Sequence, residues 1–134
     1  MKSILSKIHQ LPQILIARRF EKQNPCRYLC QVDGVKVFII DGMDGISLGN
    51  SIFINPEAYE GTWLVKHEFG HVIQSRILGW LYVPIILIPS FLWYKTISWL
   101  EKKLKWEEEY AVRLYYKFYT ESWANKLVKI EFKI

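Results

Sequence analysis

The sequence predicts an α+β fold, a small antiparallel sheet packed on a helix that carries His67-Glu68-Phe69-Gly70-His71. Three observations lead there. Residues 27–54 are rich in β-branched and aromatic side chains and are cut by glycine-containing turns. Residues 63–78 switch to helical spacing, with Trp63, Val65, Phe69, Val72, Ile73 and Ile77 as apolar contacts. Residues 96–131 are again helical in pattern, after an apolar stretch over 79–95. A chain of 134 residues has room for one core of normal size, so residues 1–134 read as one domain.

Residues 1–22 form an amphipathic helical segment. Ile4, Leu5, Ile8, Leu11, Leu15 and Ile16 recur at helical spacing, with Pro12 interrupting. A signal peptide is the competing reading. Its apolar run would be broken at Pro12-Gln13, and Ala17-Arg18-Arg19 offers no small-x-small cleavage site.

Arg27–Val32 and Val35–Ile40 flank Asp33-Gly34, a strong two-residue hairpin signal. Ile46–Ile54 supplies a third strand, stopped by Asn55-Pro56. Three such strands make a small antiparallel sheet with one face to cover. Thr62 is the expected N-cap of the next helix and Gly79 its C-terminal stop.

Residues 77–94 contain no charged side chain and just reach the length of a membrane span. Gly79, Pro84, Pro89 and Ser90 punctuate them, which favours an apolar helical hairpin. Trp80, Tyr82, Phe91, Trp93 and Tyr94 lie near its two ends, where interfacial anchors sit. Such a hairpin either completes the core or docks on a membrane surface or a second copy.

Hydrophobic residues at 51% and charged residues at 23% exclude a disordered chain. The net charge is +5, and its excess is N-terminal. Lys2, Lys7, Arg18, Arg19, Lys22 and Arg27 stand there against Glu21 alone. Basic residues beside apolar ones fit an anionic membrane surface. No basic stripe interleaved with aromatics and no nucleic-acid motif occurs, so nucleic acid is not an expected partner. Cys26 and Cys30 exclude a four-cysteine zinc site. Their state, bridged or as free thiols, follows the redox compartment.

The chemistry is carried by H-E-x-x-H. On a helix His67 and His71 lie one turn apart on one face, so both imidazoles can reach one Zn2+. Glu68 projects beside the metal, placed to take a proton from a water and pass it to a leaving amine. A third ligand is required. The metzincin extension is absent, because Gln74 and Ile77 stand where its Gly and third His would be. His9 is far upstream. The carboxylate candidates downstream are Glu101, Glu107, Glu108, Glu109, Glu121 and Glu131. Gln74 and Ser75 either support a metal-bound His or are ordinary polar helix residues.

Tyr119-Thr120-Glu121-Ser122-Trp123-Ala124-Asn125 resembles the glutamate helix of gluzincins, E-x-x-A-D. That resemblance implies Glu121 as the third ligand, Asn125 as the group orienting a metal-bound His, and Ala124 as the point of close helix approach. Asn125 departs from the usual Asp, and a neutral amide supports an imidazole less strongly than a carboxylate.

A wider likeness covers residues 45–125. It joins Gly45–Ile54, His67–Ser75, Leu78–Tyr82 with Ile88-Pro89-Ser90, and Tyr119–Asn125. In these segments the chain is similar to small bacterial zincin-like proteins, minimal relatives of gluzincins. The likeness implies zinc-dependent hydrolysis of peptide bonds in a peptide or protein substrate. It also implies that the strand near 46–54 runs along the cleft, where its free edge takes an extended peptide. An oxyanion donor is expected, with Tyr110, Tyr115, Tyr116 and Tyr119 all open. Two alternatives stand beside this reading: a zincin-fold pseudoenzyme acting as a binding module, and a membrane-embedded metalloprotease. Lys66, Glu68 and Arg76 on one short helix after a β region weigh against the latter.

Overall fold

The computed structural model describes residues 2–55 and 62–128, without the side chains of residues 2–4, 6 and 62. Four strands form one sheet: β1 (Cys26–Val32), β2 (Val35–Ile40), β3 (Gly45–Leu48) and β4 (Ser51–Ile54). Asp33 and Gly34 both have positive φ, so the β1–β2 hairpin turns where the Asp-Gly pair predicts. Leu29 is the extra residue of a bulge in β1, between the Tyr28–Phe38 and Cys30–Val37 pairs. Cys26 and Cys30, both on β1, are free thiols.

The expected third strand is two. Gly49, at φ 62, opens a tight turn with Asn50, and β4 folds back antiparallel on β3. β4 also pairs with β2 in parallel, giving the order β1-β2-β4-β3. The sheet is therefore mixed and four-stranded rather than antiparallel and three-stranded. The reason lies in Val-Phe-Ile-Ile and Ser-Ile-Phe-Ile, which do not alternate. Central strands buried on both faces read as continuous apolar runs. Phe38, Ile40 and Phe53 pack with Ala17 and Phe20 on one face. Val35, Ile52 and Ile54 pack with Val65, Phe69 and Val72 on the other.

Six helices are described. The N-terminal segment is two of them, α1 (Lys2–His9) and α2 (Leu11–Gln23), with Pro12 in the first turn of α2. They buttress α3 (Thr62–Leu78), which carries the two histidines. A His9 ring nitrogen lies 2.9 Å from Arg76 O, and Gln13 donates to Ser75 Oγ and Gly79 O. These contacts hold the C-terminal turn of α3, and Gly79 at φ 58 ends the helix. β4 ends at Ile54, just before Asn55; Pro56, the Thr62 side chain expected as a cap and residues 129–131 lie outside the described residues.

Residues 79–95 do not form a hairpin. After a tight turn at Gly79–Leu81 the chain is helical from Val83 to Leu104, through a π-turn (Val83–Leu87) into α4 (Ile88–Leu104). Proline at 89 deprives the Ile85 carbonyl of its usual helical donor. Tyr119 Oη supplies the replacement, donating to Ile85 O at 2.6 Å. That side-chain substitution lets the helix continue through proline. Lys105 in the left-handed conformation ends it. Then come α5 (Glu108–Lys117) and, after a break at Phe118, α6 (Tyr119–Leu127).

Candidate metal centre

α6 lies against α3 at unusually close range. A Cβ on Gly70 would collide with the backbone of Ala124, so only glycine fits between the two histidines here. This approach brings Glu121 to His67 and His71. One ligand atom from each residue lies within 4.8 Å of the others, and all three side chains are buried. Glu121 Oε1 stands 3.3 Å from Nε2 of both imidazoles. This buried group could hold a metal ion.

The outer nitrogens are fixed by amides. His67 Nδ1–H donates to Asn125 Oδ1 at 2.6 Å, and His71 Nδ1–H donates to Gln74 Oε1 at 2.7 Å. Gln74 is itself held through Nε2, which donates to Thr120 O at 2.8 Å. These bonds select the tautomer in which each Nε2 turns its lone pair toward Glu121.

Glu121 accepts three hydroxyl hydrogen bonds. Tyr115 Oη donates to Oε1 at 2.7 Å, and Ser90 Oγ and Thr120 Oγ1 donate to Oε2 at 2.9 and 2.7 Å. Burial alone would raise the Glu121 carboxyl. The His71 and His67 rings outweigh it and hold the group well below the usual carboxylate range. Burial alone would lower His71, yet the Glu121 carboxylate, its hydrogen bond and the Glu68 charge raise it to about 9. The centre thus holds positive charge strongly.

Glu68 sits beside this cluster and is 5% exposed. Ser47 Oγ donates to its backbone carbonyl at 2.7 Å, pinning α3 to the edge strand β3. Its Oε2 has no hydrogen-bond partner among the described residues. Gly45 leaves room for the carboxylate: a Cβ there would lie 3.3 Å from Glu68 Oε1.

The structure brings His67, His71, Glu121 and Asn125 together, with Glu68 next to them. Glu107, Glu108 and Glu109 are exposed, and Glu109 pairs with Arg113 on α5. His9 serves the end of α3. Of the four tyrosines, Tyr110 and Tyr119 are exposed. Tyr116 packs edge-on to His67 with ring centroids 5.0 Å apart. Its pKa is raised by burial and by the Glu68 and Glu121 charges, so its hydroxyl keeps its proton. Sequence reasoning missed Ser90 and Thr120 as partners of Glu121 and Tyr115 as its donor. Ser90 carried a signal, being the single hydroxyl of its kind inside the uncharged 77–94 run.

Comparison with protein-family models, with curated proteins and with solved structures finds no match for this chain.

Proposed function

We propose that the chain is a zinc-dependent peptidase of minimal gluzincin-like design. His67, His71 and Glu121 hold Zn2+, and Glu68 is the general base and then the general acid. One observation carries this reading. Two imidazole lone pairs, their tautomers set by Asn125 and Gln74, converge on one carboxylate oxygen. Acceptors facing one another in a buried site require a cation between them, a proton on His71 in the metal-free chain and a metal ion when one displaces it. Two nitrogens and one oxygen are the donor set of catalytic zinc, which keeps a further position open.

Zinc supplies Lewis acidity, lowering the pKa of a water to about 7 and polarising a carbonyl. Glu68 Oε2, free of hydrogen bonds among the described residues, accepts the proton of the attacking water and returns it to the leaving nitrogen. Tyr116, beside His67 and protonated, donates to the developing oxyanion. β3 is a terminal strand of the sheet, and an extended substrate pairs with its edge next to Glu68.

A metal-free binding module is the second reading. It is favoured by the saturation of Glu121, which already accepts from Ser90, Tyr115 and Thr120 and pairs with His71. Cleavage of an unstructured polypeptide such as casein separates the two. A peptidase loses turnover to a chelator and regains it with zinc, while Glu68→Gln retains zinc without turnover. Full turnover in zinc-replete Glu68→Gln removes Glu68 from the mechanism. A wild type that retains no zinc and cleaves nothing supports the metal-free binding module.

A further inference from the structure

We propose that the outer face of the Val83–Leu104 helix docks in the plane of an anionic lipid bilayer. The two sides of this helix differ sharply. On its inner side Ser90 reaches Glu121, Trp93 Nε1 donates to Tyr115 O at 3.1 Å, and Ile86 and Ile97 are buried. On its outer side Ile88, Phe91, Leu92 and Trp99 are 49–57% exposed. Ile88, Leu92, Lys95, Trp99 and Lys102 follow spacings of four and three, which aligns them on one face. Only 11% of the most apolar window of the helix is buried within the protein. A contiguous apolar surface of this kind marks an interaction site.

Charge selects the occupant. Lys95 lies on that face, with Lys102, Lys103 and Lys105 at its C-terminal end, and Glu101 is the one acidic residue of the helix. Two-fold pairing with a second copy would bring two copies of this lysine-bearing face together. Anionic headgroups complement the lysines. Lys95 Nζ lies 5.5 Å from the Phe91 ring centroid and Lys103 Nζ 4.5 Å from that of Trp99. An ammonium stacked over an aromatic ring suits the headgroup boundary, where the ring meets acyl chains and the charge meets phosphate.

The 22-residue helix is about 33 Å long, which would match a bilayer core. Spanning would, however, place Lys95 near the bilayer centre and strip Ser90 and Trp93 of their partners. Lying in the interface satisfies both sides. The metal centre then stands about one helix diameter from the lipid.

Cosedimentation of the full chain with vesicles tests this. Vesicles of phosphatidylcholine with phosphatidylglycerol should carry the protein down, phosphatidylcholine alone should carry far less, and added salt should release it. Phe91→Ser/Leu92→Ser should lower partitioning at least tenfold without changing the melting temperature. Lys102→Glu/Lys103→Glu, which leaves the apolar face intact, should also lower it. Three results would overturn the proposal: equal binding to neutral vesicles, unchanged binding of both variants, or a wild-type dimer that the Phe91→Ser/Leu92→Ser change dissociates. Binding that resists salt would overturn the in-plane geometry in favour of insertion.

Discussion

Around Glu121 and along the outside of the Val83–Leu104 helix the usual placement of polarity is reversed. The centre buries His67, Gln74, Thr120 and Glu121 at 0–1% exposure, each with hydrogen-bond partners. On the other side of the same helix, Phe91, Leu92 and Trp99 stand more than half exposed. Neither arrangement favours folding. Burying paired charges seldom beats an apolar core, and exposed apolar area forgoes burial. Ser90 and Trp93 tie the two regions together through one element. Both sides of this helix forgo stability, so stability must come from elsewhere, chiefly the doubly covered sheet.

The largest effect should come from the inner region. Glu68→Gln should lower turnover by about 10²–10⁴-fold at unchanged zinc content, measured by metal analysis beside a cleavage assay. Gly70→Ala would drive a methyl into Ala124 and separate α3 from α6. It should lower stability by about 1–3 kcal/mol in denaturant titration and weaken zinc binding with it. A neutral outcome would break the claim that close helix approach builds the centre.

The two sides of the helix can then be set against each other directly. Ile86→Ser, at a fully buried position, should destabilise by about 2–5 kcal/mol. Leu92→Ser, at 57% exposure, should stay within about 0.5 kcal/mol. Equal losses would erase the distinction between inner and outer faces.

Smaller effects sharpen the inner region alone. Asn125→Ala should weaken zinc binding by about 10-fold or more, because His67 loses the acceptor that fixes its tautomer. Against the penalty of burial, Glu121 raises His71 to about 9, so below that pH an incoming ion must displace a proton. Apparent zinc affinity should therefore climb with pH and level off near pH 9 in calorimetric titrations. A flat profile would mean that His71 carries no proton in the metal-free chain.

Much of the centre was legible in the sequence because its chemistry is local. H-E-x-x-H places His67, Glu68 and His71 together by helical spacing, and Glu121, Ala124 and Asn125 keep the same order on α6. Ser90 and Tyr115 were not legible as Glu121 partners, since their contacts depend on how α4 and α5 pack. Gly49-Asn50 inside an apolar run predicts one strand and an antiparallel sheet, whereas it forms the turn between β3 and β4. The sheet's parallel pairing was signalled by the unbroken apolar runs of β2 and β4. Pro84 and Pro89 predict a hairpin where the chain is helical. The rescue of Ile85 O by Tyr119, which is 34 residues away, is a tertiary event that no local rule contains.

The central claim is that His67, His71 and Glu121 together hold one zinc ion. Diffraction from zinc-soaked crystals at the zinc absorption edge, paired with zinc titration of Glu121→Ala and Glu108→Ala, tests it most directly. The account predicts one anomalous peak among His67 Nε2, His71 Nε2 and Glu121, one equivalent of zinc bound, a sharp loss in Glu121→Ala and none in Glu108→Ala. A peak elsewhere, or wild-type affinity in Glu121→Ala, would contradict it.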